Sequence, residues 1–319
     1  MRSILDGTLE RGPFAAEGGR TGASFERVVL ADGTPAIVKY VSPEGLFVRI
    51  AGEANRMCRL WGAGFFDRLP AEIDHATIAI EPREDGWIIV MRDVSEAVFS
   101  DHYVLSRDES RRVLRAVDAM HRVFWGEQPD GAGTLRDLYG VFLGLRTLAA
   151  DFPIAALFAR GWELFPDVAP PDVTEVMQVL LSDPNVIADA LSEHETTVIH
   201  GDLRLHNLGM TPECVVLLDW EVVSAAPSAV ELAWYLIISA TRIDASRDEI
   251  IDDFRAISAD RFDPVALEKA LVGGLACLGW NKALDIVDNP DPAIRAQERA
   301  DLDWWIARVR RALETWSPV

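Results

Sequence analysis

The chain has 319 residues, of which 49% are hydrophobic and 26% charged. This is the composition of an ordinary globular protein, and the length suffices for a sizeable core and two lobes or domains. The formal net charge of −20 is unevenly placed, since residues 1–95 hold 11 basic and 14 acidic side chains and residues 96–319 hold 20 and 37. An acidic large lobe argues against nucleic acid as a partner. It is compatible with a cationic substrate, although acidic surfaces also serve solubility alone.

The longest apolar stretch lies around residues 233–240, well short of the ~18–20 residues of a membrane helix, so no membrane partner is expected. The first residues contain no hydrophobic signal region. Three scattered cysteines, Cys58, Cys214 and Cys277, lie in apolar contexts and indicate reduced core residues of a cytoplasmic protein. No Cys or His pair has the spacing of zinc ligands.

The first chemically suggestive segment, residues 17–24, is glycine-rich. Gly19 and Gly22 let the backbone approach a phosphate closely, and the hydroxyls of Thr21 and Ser24 can donate hydrogen bonds. A glycine-rich turn in isolation is weak evidence. Its weight comes from its position, one strand-length before the next feature.

That feature is a predicted strand over residues 34–39, Thr-Pro-Ala-Ile-Val-Lys. Its terminal Lys39 is one of only three lysines, with Lys269 and Lys282, in a chain that has 28 arginines. A chain that otherwise uses arginine is expected to keep lysine where a compact ammonium is needed. The alternative is an exposed lysine at a strand end.

Two further elements are predicted in the N-terminal part. Residues 51–61 carry Glu53, followed by apolar residues at helical spacing, and predict a helix with one buried face. Residues 86–94 predict a buried strand that runs into a polar exit at Arg92 and Asp93, just before Val94.

A long amphipathic helix is predicted over residues 105–125, with Ser106 as its N-cap. His121 lies on this helix. We interpret it as a packing histidine in preference to a catalytic one.

Three oxygen-bearing side chains follow two short apolar runs, residues 196–199 and 214–218, which predict strands. Asp202 and Asn207 lie in the loop after the first run, and Asp219 directly follows the second. Two carboxylates and an amide oxygen that face one cleft suit Mg²⁺, which takes oxygen ligands and keeps several waters. The alternative is a hairpin with ordinary polar ends.

At these positions the chain resembles the aminoglycoside phosphotransferases and choline-kinase-like small-molecule kinases, relatives of the protein kinases. The family's catalytic loop, His-Gly-Asp-x-x-x-x-Asn, matches residues 200–207 without a gap, and its Asp-Trp-Glu metal motif looks like residues 219–221. The resemblance implies that Asp202 accepts the proton of an attacking hydroxyl, and that Asn207 and Asp219 hold Mg²⁺.

The upstream segments resemble the nucleotide-binding parts of the same family. By this resemblance Lys39 would hold the phosphates of ATP or GTP, Glu53 would pair with Lys39, and backbone groups from Arg92 to Val94 would bind the adenine. Arg204 stands where protein kinases carry a lysine near the transferring phosphate. The glycine-rich segment would cover the phosphates with Gly19, Thr21, Gly22 and Ser24.

The segment after Asp219 resembles the family's Gly-Pro-x-x-x-Asp-Leu-Ala helix, with Glu231 in place of the usual aspartate. Only eleven residues separate Asp219 from Glu231, too few for the activation segment on which a protein kinase binds peptide, so the predicted acceptor is a small molecule with a hydroxyl. In that family C-terminal helices build the acceptor pocket, where acidic groups would bind ammonium and tryptophan faces would hold a sugar or a cation. A plain amphipathic core stripe is the alternative. The candidate acceptor residues are Glu231, Trp280, Asp301, Asp303 and Trp304.

The predicted fold is α+β and two-lobed like that of a protein kinase. A small β-sheet lobe with one helix would span residues 1–95, and a larger, mainly helical lobe residues 96–319. The implied reaction is Mg²⁺-dependent transfer of the γ-phosphate of ATP, or GTP, to a small molecule such as an aminoglycoside or another antibiotic. The alternatives are a metabolic kinase for a sugar, amino alcohol or nucleoside and, against the retained motifs, a nucleotide-binding pseudokinase. A monomer or homodimer is expected.

Overall fold

The computed structural model describes residues 3–15, 23–43, 45, 56–100, 102–147 and 153–318. Four residues predicted to bind the nucleotide, Gly19, Thr21, Gly22 and Glu53, lie outside these ranges.

The N-terminal part forms a five-stranded antiparallel sheet in the order β1-β2-β3-β6-β5. The central strand β3 is buried along most of its length because β2 and β6 pair with its two edges and both of its faces are covered. Lys39 in β3 lies opposite Phe25 on one side and Ile89 on the other. The strands are β1 (Glu10–Pro13), β2 (Ser24–Val29), β3 (Pro35–Val41), β5 (Thr77–Arg83) and β6 (Gly86–Arg92).

A short helix and an extra strand connect this sheet to the rest of the chain. Helix α1 (Arg56–Gly62) buries Met57 and Leu60, as its predicted apolar face requires. Strand β4 (Ile73–Asp74) lies outside the five-stranded sheet and pairs in parallel with a strand far along the chain, at Val215 and Val216. A strand from the N-terminal part of the chain thus forms the edge of a small sheet in the C-terminal part.

The C-terminal part is mainly helical. The predicted N-cap is confirmed, because Ser106 and Glu109 form a reciprocal capping box at the start of α2. The helices are α2 (Arg107–Val123), α3 (Leu135–Leu143), α4 (Pro153–Val168), α5 (Pro171–Ser182), α6 (Asn185–Ser192), α7 (Ser228–Ser239), α8 (Arg247–Ser258), α9 (Pro264–Val287) and α10 (Pro292–Leu313).

Helix α9 is the central element of this part, packed against α3, α4, α5, α6, α7 and α10. Because it is surrounded, its apolar residues do not form one stripe. Among the described residues it is the single helix long and apolar enough to cross a membrane by length and composition, and 67% of its most apolar window is buried inside the protein.

The two short strands predicted around the polar loop are both present, as β8 (Thr197–Ile199) and β10 (Val215–Leu217). They do not form a hairpin with each other. β8 pairs with β11 (Ser224–Ala226), whereas β10 lies between β4 and β9 (Leu208–Met210). A further short pair joins β7 (Leu105–Ser106) to β12 (Ile243–Asp244). The α+β class is therefore confirmed.

Close packing of α4 on α9 gives a test of the core. A methyl group added at Gly161 would lie 2.2 Å from the Trp280 carbonyl oxygen. We expect Gly161→Ala to lower the free energy of unfolding by about 1–3 kcal/mol, because overpacking forces the helices apart. Urea denaturation measures this loss.

The matched control is Gly140→Ala in α3, where an added methyl group meets nothing within 4 Å. This variant should gain roughly 0.5–1 kcal/mol, because alanine loses less backbone entropy than glycine in a helix. Equal stability of the two variants would contradict the close contact of α4 with α9.

Candidate active site

A cavity with a volume of about 390 Å³ lies between the five-stranded sheet and the helical part. Its walls are mostly apolar, whereas its floor carries the polar side chains of the loops after β8 and β10. A deep apolar cleft with a few convergent polar groups is the usual form of a small-molecule site. It is lined by Phe14, Ala15, Phe25, Ile37, Lys39, Met57, His75, Thr77, Ile89, Met91, Arg92, Val94, Ser95, Val98, Phe99, Ser100, Arg204, His206, Asn207, Leu218, Asp219 and Trp220.

Asp202 lies beside Arg204 and Asn207, which line this cleft, and three side chains hold it in place. Asn207 Nδ2 donates to the Asp202 backbone oxygen and to Oδ2, both at 2.9 Å. Arg204 Nε lies 3.0 Å from the same Oδ2, and Trp234 Nε1 donates to Oδ1 at 3.0 Å. The structure thus brings together Asp202, Arg204 and Asn207, as the sequence analysis predicted.

Burial raises the pKa of the Asp202 carboxyl above its ordinary value. The guanidinium of Arg204 acts in the opposite direction, and the charge of nearby Asp219 adds to the rise. A carboxylate with raised proton affinity is better suited to accept a proton than an exposed one. Asp202 is only 7% exposed.

The backbone before Asp202 is held by a buried carboxylate. Glu231 in α7 accepts the N–H of His200 at 2.5 Å and the N–H of Gly201 at 3.1 Å. Gly201 has φ +82°, and a Cβ there would lie 2.6 Å from the Val222 carbonyl oxygen, so the turn requires glycine. Glu231 is 1% exposed with both oxygens engaged. The prediction that it contacts the acceptor is therefore wrong.

His200 anchors the loop to the strand β10 exit. Its Nε2 donates to the Leu218 carbonyl at 2.9 Å, and its Nδ1 accepts the Asp202 backbone N–H at 3.3 Å. These contacts fix the orientation of an imidazole that is fully buried beside Trp220. The backbone N–H of Leu218 also donates to the Asn207 carbonyl at 2.9 Å, which joins the two loops directly.

Asp219 and Lys39 meet across the cleft. Lys39 Nζ lies 2.8 Å from Asp219 Oδ1 and 2.7 Å from Glu221 Oε1. Asp219 has the left-handed backbone conformation, with φ +66° and ψ +64°, which turns the chain sharply after Leu218. Such conformations cost free energy in residues other than glycine and cluster at functional sites.

The contacts of Lys39 with Asp219 and Glu221, together with burial, explain the directions in which the pKa values of these three groups are shifted. Burial acts to lower the pKa of Lys39, but the charges of Asp219 and Glu221 outweigh it and the pKa is raised. Burial acts to raise the pKa of Asp219, but Lys39 outweighs it and the pKa is lowered. Burial raises the pKa of Glu221. The ammonium and the Asp219 carboxylate are therefore both charged at neutral pH.

Glu221 is a functional candidate that the sequence analysis missed as a partner of Lys39. The sequence carried one signal for it, its place two residues after Asp219 in the Asp-Trp-Glu motif. The predicted partner Glu53 lies outside the described residues, so its pairing with Lys39 stays a prediction.

The predicted adenine-binding segment lines the cleft at Arg92 and Val94. The Arg92 and Asp93 backbone N–H groups donate to the Ala76 and Pro35 carbonyls, and the Val94 carbonyl accepts the Ala97 N–H. The Val94 N–H makes no hydrogen bond to any described residue, so it can serve a ligand. The Arg92 side chain pairs with Asp74. Ser24, which was predicted to bind the nucleotide, is exposed at the start of β2 and does not line the cavity, whereas its neighbour Phe25 does.

The predicted acceptor residues in the C-terminal helices lie away from the cleft. Trp280 is 2% exposed and packs in a core cluster with Phe158 and Leu145, while its indole N–H donates to the Cys277 carbonyl. Asp301 is 4% exposed, and its carboxylate pairs with two cations. The structure contradicts these two predictions, since both side chains are buried and neither lines the cleft.

The remaining two candidates are accessible but face other groups. Trp304 is half-buried between the guanidinium groups of Arg247 and Arg308, whose Cζ atoms lie 5.6 and 4.9 Å from its ring centroid. Asp303 is exposed. Neither lines the cleft. Asp301 pairs with Arg247 and Lys282.

The residues present fit a hard divalent cation. Asn207 turns its NH₂ group to Asp202, and its side-chain oxygen accepts no hydrogen bond from the described residues. Asp219 contacts Lys39 through Oδ1, which leaves Oδ2 as a second oxygen donor, and both residues line the cleft. Among the described residues no cluster of three or more His, Cys, Asp or Glu side chains could hold a metal. Two oxygen donors suit Mg²⁺, which keeps waters and takes further ligands from phosphates.

Comparison with known proteins places this geometry in a family. The model of the phosphotransferase enzyme family matches residues 16–266. No curated protein sequence matches the chain.

Solved structures share the fold at low sequence identity. Choline kinase LicA from Streptococcus pneumoniae is 13% identical over 94% of both chains with a TM-score of 0.56, and LicA has also been solved with AMP. An aminoglycoside phosphotransferase from Alicyclobacillus acidocaldarius is 15% identical over 97% of this chain and 94% of that one, with a TM-score of 0.52. The GDP complex of aminoglycoside 2'-phosphotransferase-IIIa is 11% identical over 94% and 93%, with a TM-score of 0.53. The two-lobed protein-kinase-like fold is thereby confirmed, and the chain belongs to the phosphotransferase enzyme family.

Proposed function

We propose that the protein transfers the γ-phosphate of ATP or GTP to a hydroxyl group of a small molecule, with Mg²⁺ as the metal. The observation that carries the proposal is that Lys39, Asn207 and Asp219 line one cleft, with Asp202 hydrogen-bonded to Asn207 directly beside it. Phosphoryl transfer requires charge neutralisation and positioning, and this set supplies both.

The nucleotide base would occupy the apolar part of the cleft. Ile37, Ile89 and Met91 from the sheet and Leu218 from below line this part, so a flat ring would be buried between apolar surfaces. The free Val94 N–H stands at its edge as a donor. These groups accept either purine, so ATP and GTP are both tested.

The phosphates would lie toward Lys39. Its ammonium is held by two carboxylates, and a triphosphate would offer it further negative oxygens at the same place. Asn207 and Asp219 would hold Mg²⁺, which neutralises charge on the phosphates when bound. Arg204 lies beside Asp202 and lines the cleft, where its guanidinium would stabilise the transferring phosphoryl group.

Asp202 would orient the acceptor hydroxyl and take its proton as the oxygen attacks phosphorus. The new O–P bond forms as the bond to the nucleotide's bridging oxygen breaks, and the nucleoside diphosphate leaves. The raised pKa of the Asp202 carboxyl suits this role.

The fold supports a small acceptor. After Asp219 the chain forms a 3₁₀ turn over Trp220–Val222, then β11, then α7, with most of these residues buried. This segment packs into the core and offers no extended surface on which a peptide could lie. A cationic acceptor such as an aminoglycoside is favoured by the acidic large lobe. A sugar, amino alcohol or nucleoside remains the metabolic alternative.

The direct test measures ADP or GDP release with Mg²⁺, either nucleotide and a panel of aminoglycosides, other hydroxylated antibiotics, choline, amino sugars and nucleosides. We expect acceptor-dependent release that falls by at least ~10³-fold in Asp202→Ala and in Asp219→Ala. Glu213→Ala, which removes an exposed acid before β10, is the control and should keep full activity. Near-normal turnover in either cleft variant would contradict the assignment. Nucleotide binding without transfer to any acceptor would favour a pseudokinase.

Lys39→Met should have two effects. Nucleotide affinity measured by calorimetry should fall, because the phosphates lose a cation. The free energy of unfolding without ligand should also fall by about 3 kcal/mol, since the partly buried carboxylates of Asp219 and Glu221 are left without their partner.

Lys39→Arg retains the charge and is the control for the stability effect. Urea denaturation of the wild type, Lys39→Met and Lys39→Arg compares their free energies of unfolding. Equal stability of Lys39→Met and the wild type would show that the buried ion pairs do not neutralise the cleft.

The dependence of kcat/KM on ionic strength tests whether the acidic lobe attracts a cationic acceptor. If the acidic lobe attracts a cationic acceptor, kcat/KM for it should fall roughly 3- to 10-fold as salt rises from about 0.01 to about 0.1 M, because the screening length falls from about 30 to about 10 Å. The measurement uses saturating nucleotide, with an uncharged acceptor as control. Equal salt dependence for both acceptors would contradict electrostatic attraction.

A further inference from the structure

One indole in the structure has an unusual partner. Trp234 in α7 is 7% exposed and donates its indole N–H to Asp202 Oδ1 at 3.0 Å, across 32 residues of chain. Trp220 and Trp280 are also buried, but each donates to a backbone carbonyl only three residues earlier. A local carbonyl thus satisfies each of these two buried indoles. Trp234 is instead directed at the carboxylate that the proposed reaction uses.

The two oxygens of Asp202 are occupied differently. Oδ2 accepts the Asn207 amide at 2.9 Å and forms an ion pair with Arg204, whose Nε lies 3.0 Å away. Oδ1 accepts from Trp234 alone among the described residues. One lone pair of Oδ1 therefore remains for a substrate proton. Trp234 thus holds an oxygen that can still accept a proton.

Trp234 is itself held in place. The Phe142 ring from α3 lies 4.2 Å from it between centroids, at an interplanar angle of 35°. Glu231, three residues earlier on the same helix, binds the backbone of His200 and Gly201. Helix α7 thus fixes both the main chain of the catalytic loop and the orientation of its carboxylate.

We propose that Trp234 is a positioning residue that aims Oδ1 of Asp202 at the acceptor hydroxyl; this rests on the proposed phosphotransfer. The O–H bond of the acceptor breaks and its proton passes to Oδ1. The acceptor oxygen bonds to the γ-phosphorus, and the nucleoside diphosphate leaves with the electrons of the broken O–P bond. The indole N–H keeps the rotation of the carboxylate fixed throughout and does not titrate.

The test replaces Trp234 by phenylalanine, which removes the N–H and keeps an aromatic ring against Phe142. We expect kcat to fall about 10- to 100-fold, with the KM of nucleotide and acceptor changed by less than about 2-fold, because orientation and not binding is lost. The matched control is Tyr235→Phe on the same helix. It removes a buried hydroxyl that contacts Ser110 Oγ at 3.1 Å and should leave kcat unchanged.

A second arm asks whether the effect passes through Asp202. The same substitution is made in an Asp202→Ala background, where residual transfer is followed by long incubation with γ-labelled nucleotide. In this background Trp234→Phe should cause no further loss of activity. A merely structural role would lower activity equally in both backgrounds. Additive losses, or a kcat loss shared by Tyr235→Phe, would overturn the proposal.

The bond itself is observable without catalysis. In ¹⁵N-tryptophan-labelled protein the Trp234 indole N–H resonance, assigned by its disappearance in Trp234→Phe, should move upfield in Asp202→Ala while the other indole resonances stay. If the wild type phosphorylates no acceptor, the proposed function fails, and this measurement still decides whether Trp234 holds Asp202. An unmoved Trp234 resonance would overturn the proposal whatever the activity.

Discussion

The cleft depends on one buried ammonium group. Asp202, Asp219 and Glu221 are three carboxylates gathered in one largely buried place, and their mutual repulsion would open it without nearby cations. Lys39 lies against two of them at hydrogen-bond distance, and Arg204 lies against the third. A buried ion pair is costly to desolvate and contributes little net stability compared with apolar packing. Its presence is better explained by the chemistry that needs these charges.

The same ammonium joins the two parts of the fold. Lys39 belongs to the central strand of the N-terminal sheet, whereas its partners follow β10 in the C-terminal part. The sheet and the loops below it are thus fixed relative to each other at the point where phosphates would lie. Asp219 reaches this position only through its left-handed backbone conformation. Strain and charge are concentrated at the same few residues.

Local patterns in the sequence were sufficient for the elements and for the floor of the cleft. The Ser106 cap, the strand that ends near Lys39, and the runs before His200 and Asp219 are each encoded by neighbouring residues. Pairings across the chain were not accessible in this way. The pair of Lys39 with Glu221 spans 182 residues, and no periodicity predicts that β8 would choose β11.

The acceptor candidates failed for a related reason. Asp301 and Trp280 have the residue types of a ligand pocket, but the same types serve a buried ion cluster and an aromatic core. The sequence does not show which neighbour neutralises an acid. In the structure Lys282 does so for Asp301, and the rarity of lysine here marks this buried position as well as Lys39. Trp234 was missed for the opposite reason, since it lies in an apolar run that reads as core.

The position of α9 in the chain has a consequence for how the protein is made. This helix is the hub against which six other helices pack, yet it begins at Pro264, after all but one of them have been synthesised. Until it emerges from the ribosome, the faces of α3, α4, α5, α6 and α7 that it will cover lack this partner. The C-terminal part therefore completes its core late, and its growing chain exposes apolar surface that is open to aggregation or chaperone capture. The match to the family model ends at residue 266, just as this helix begins. The element that closes the core thus lies almost wholly beyond the segment by which the family is recognised.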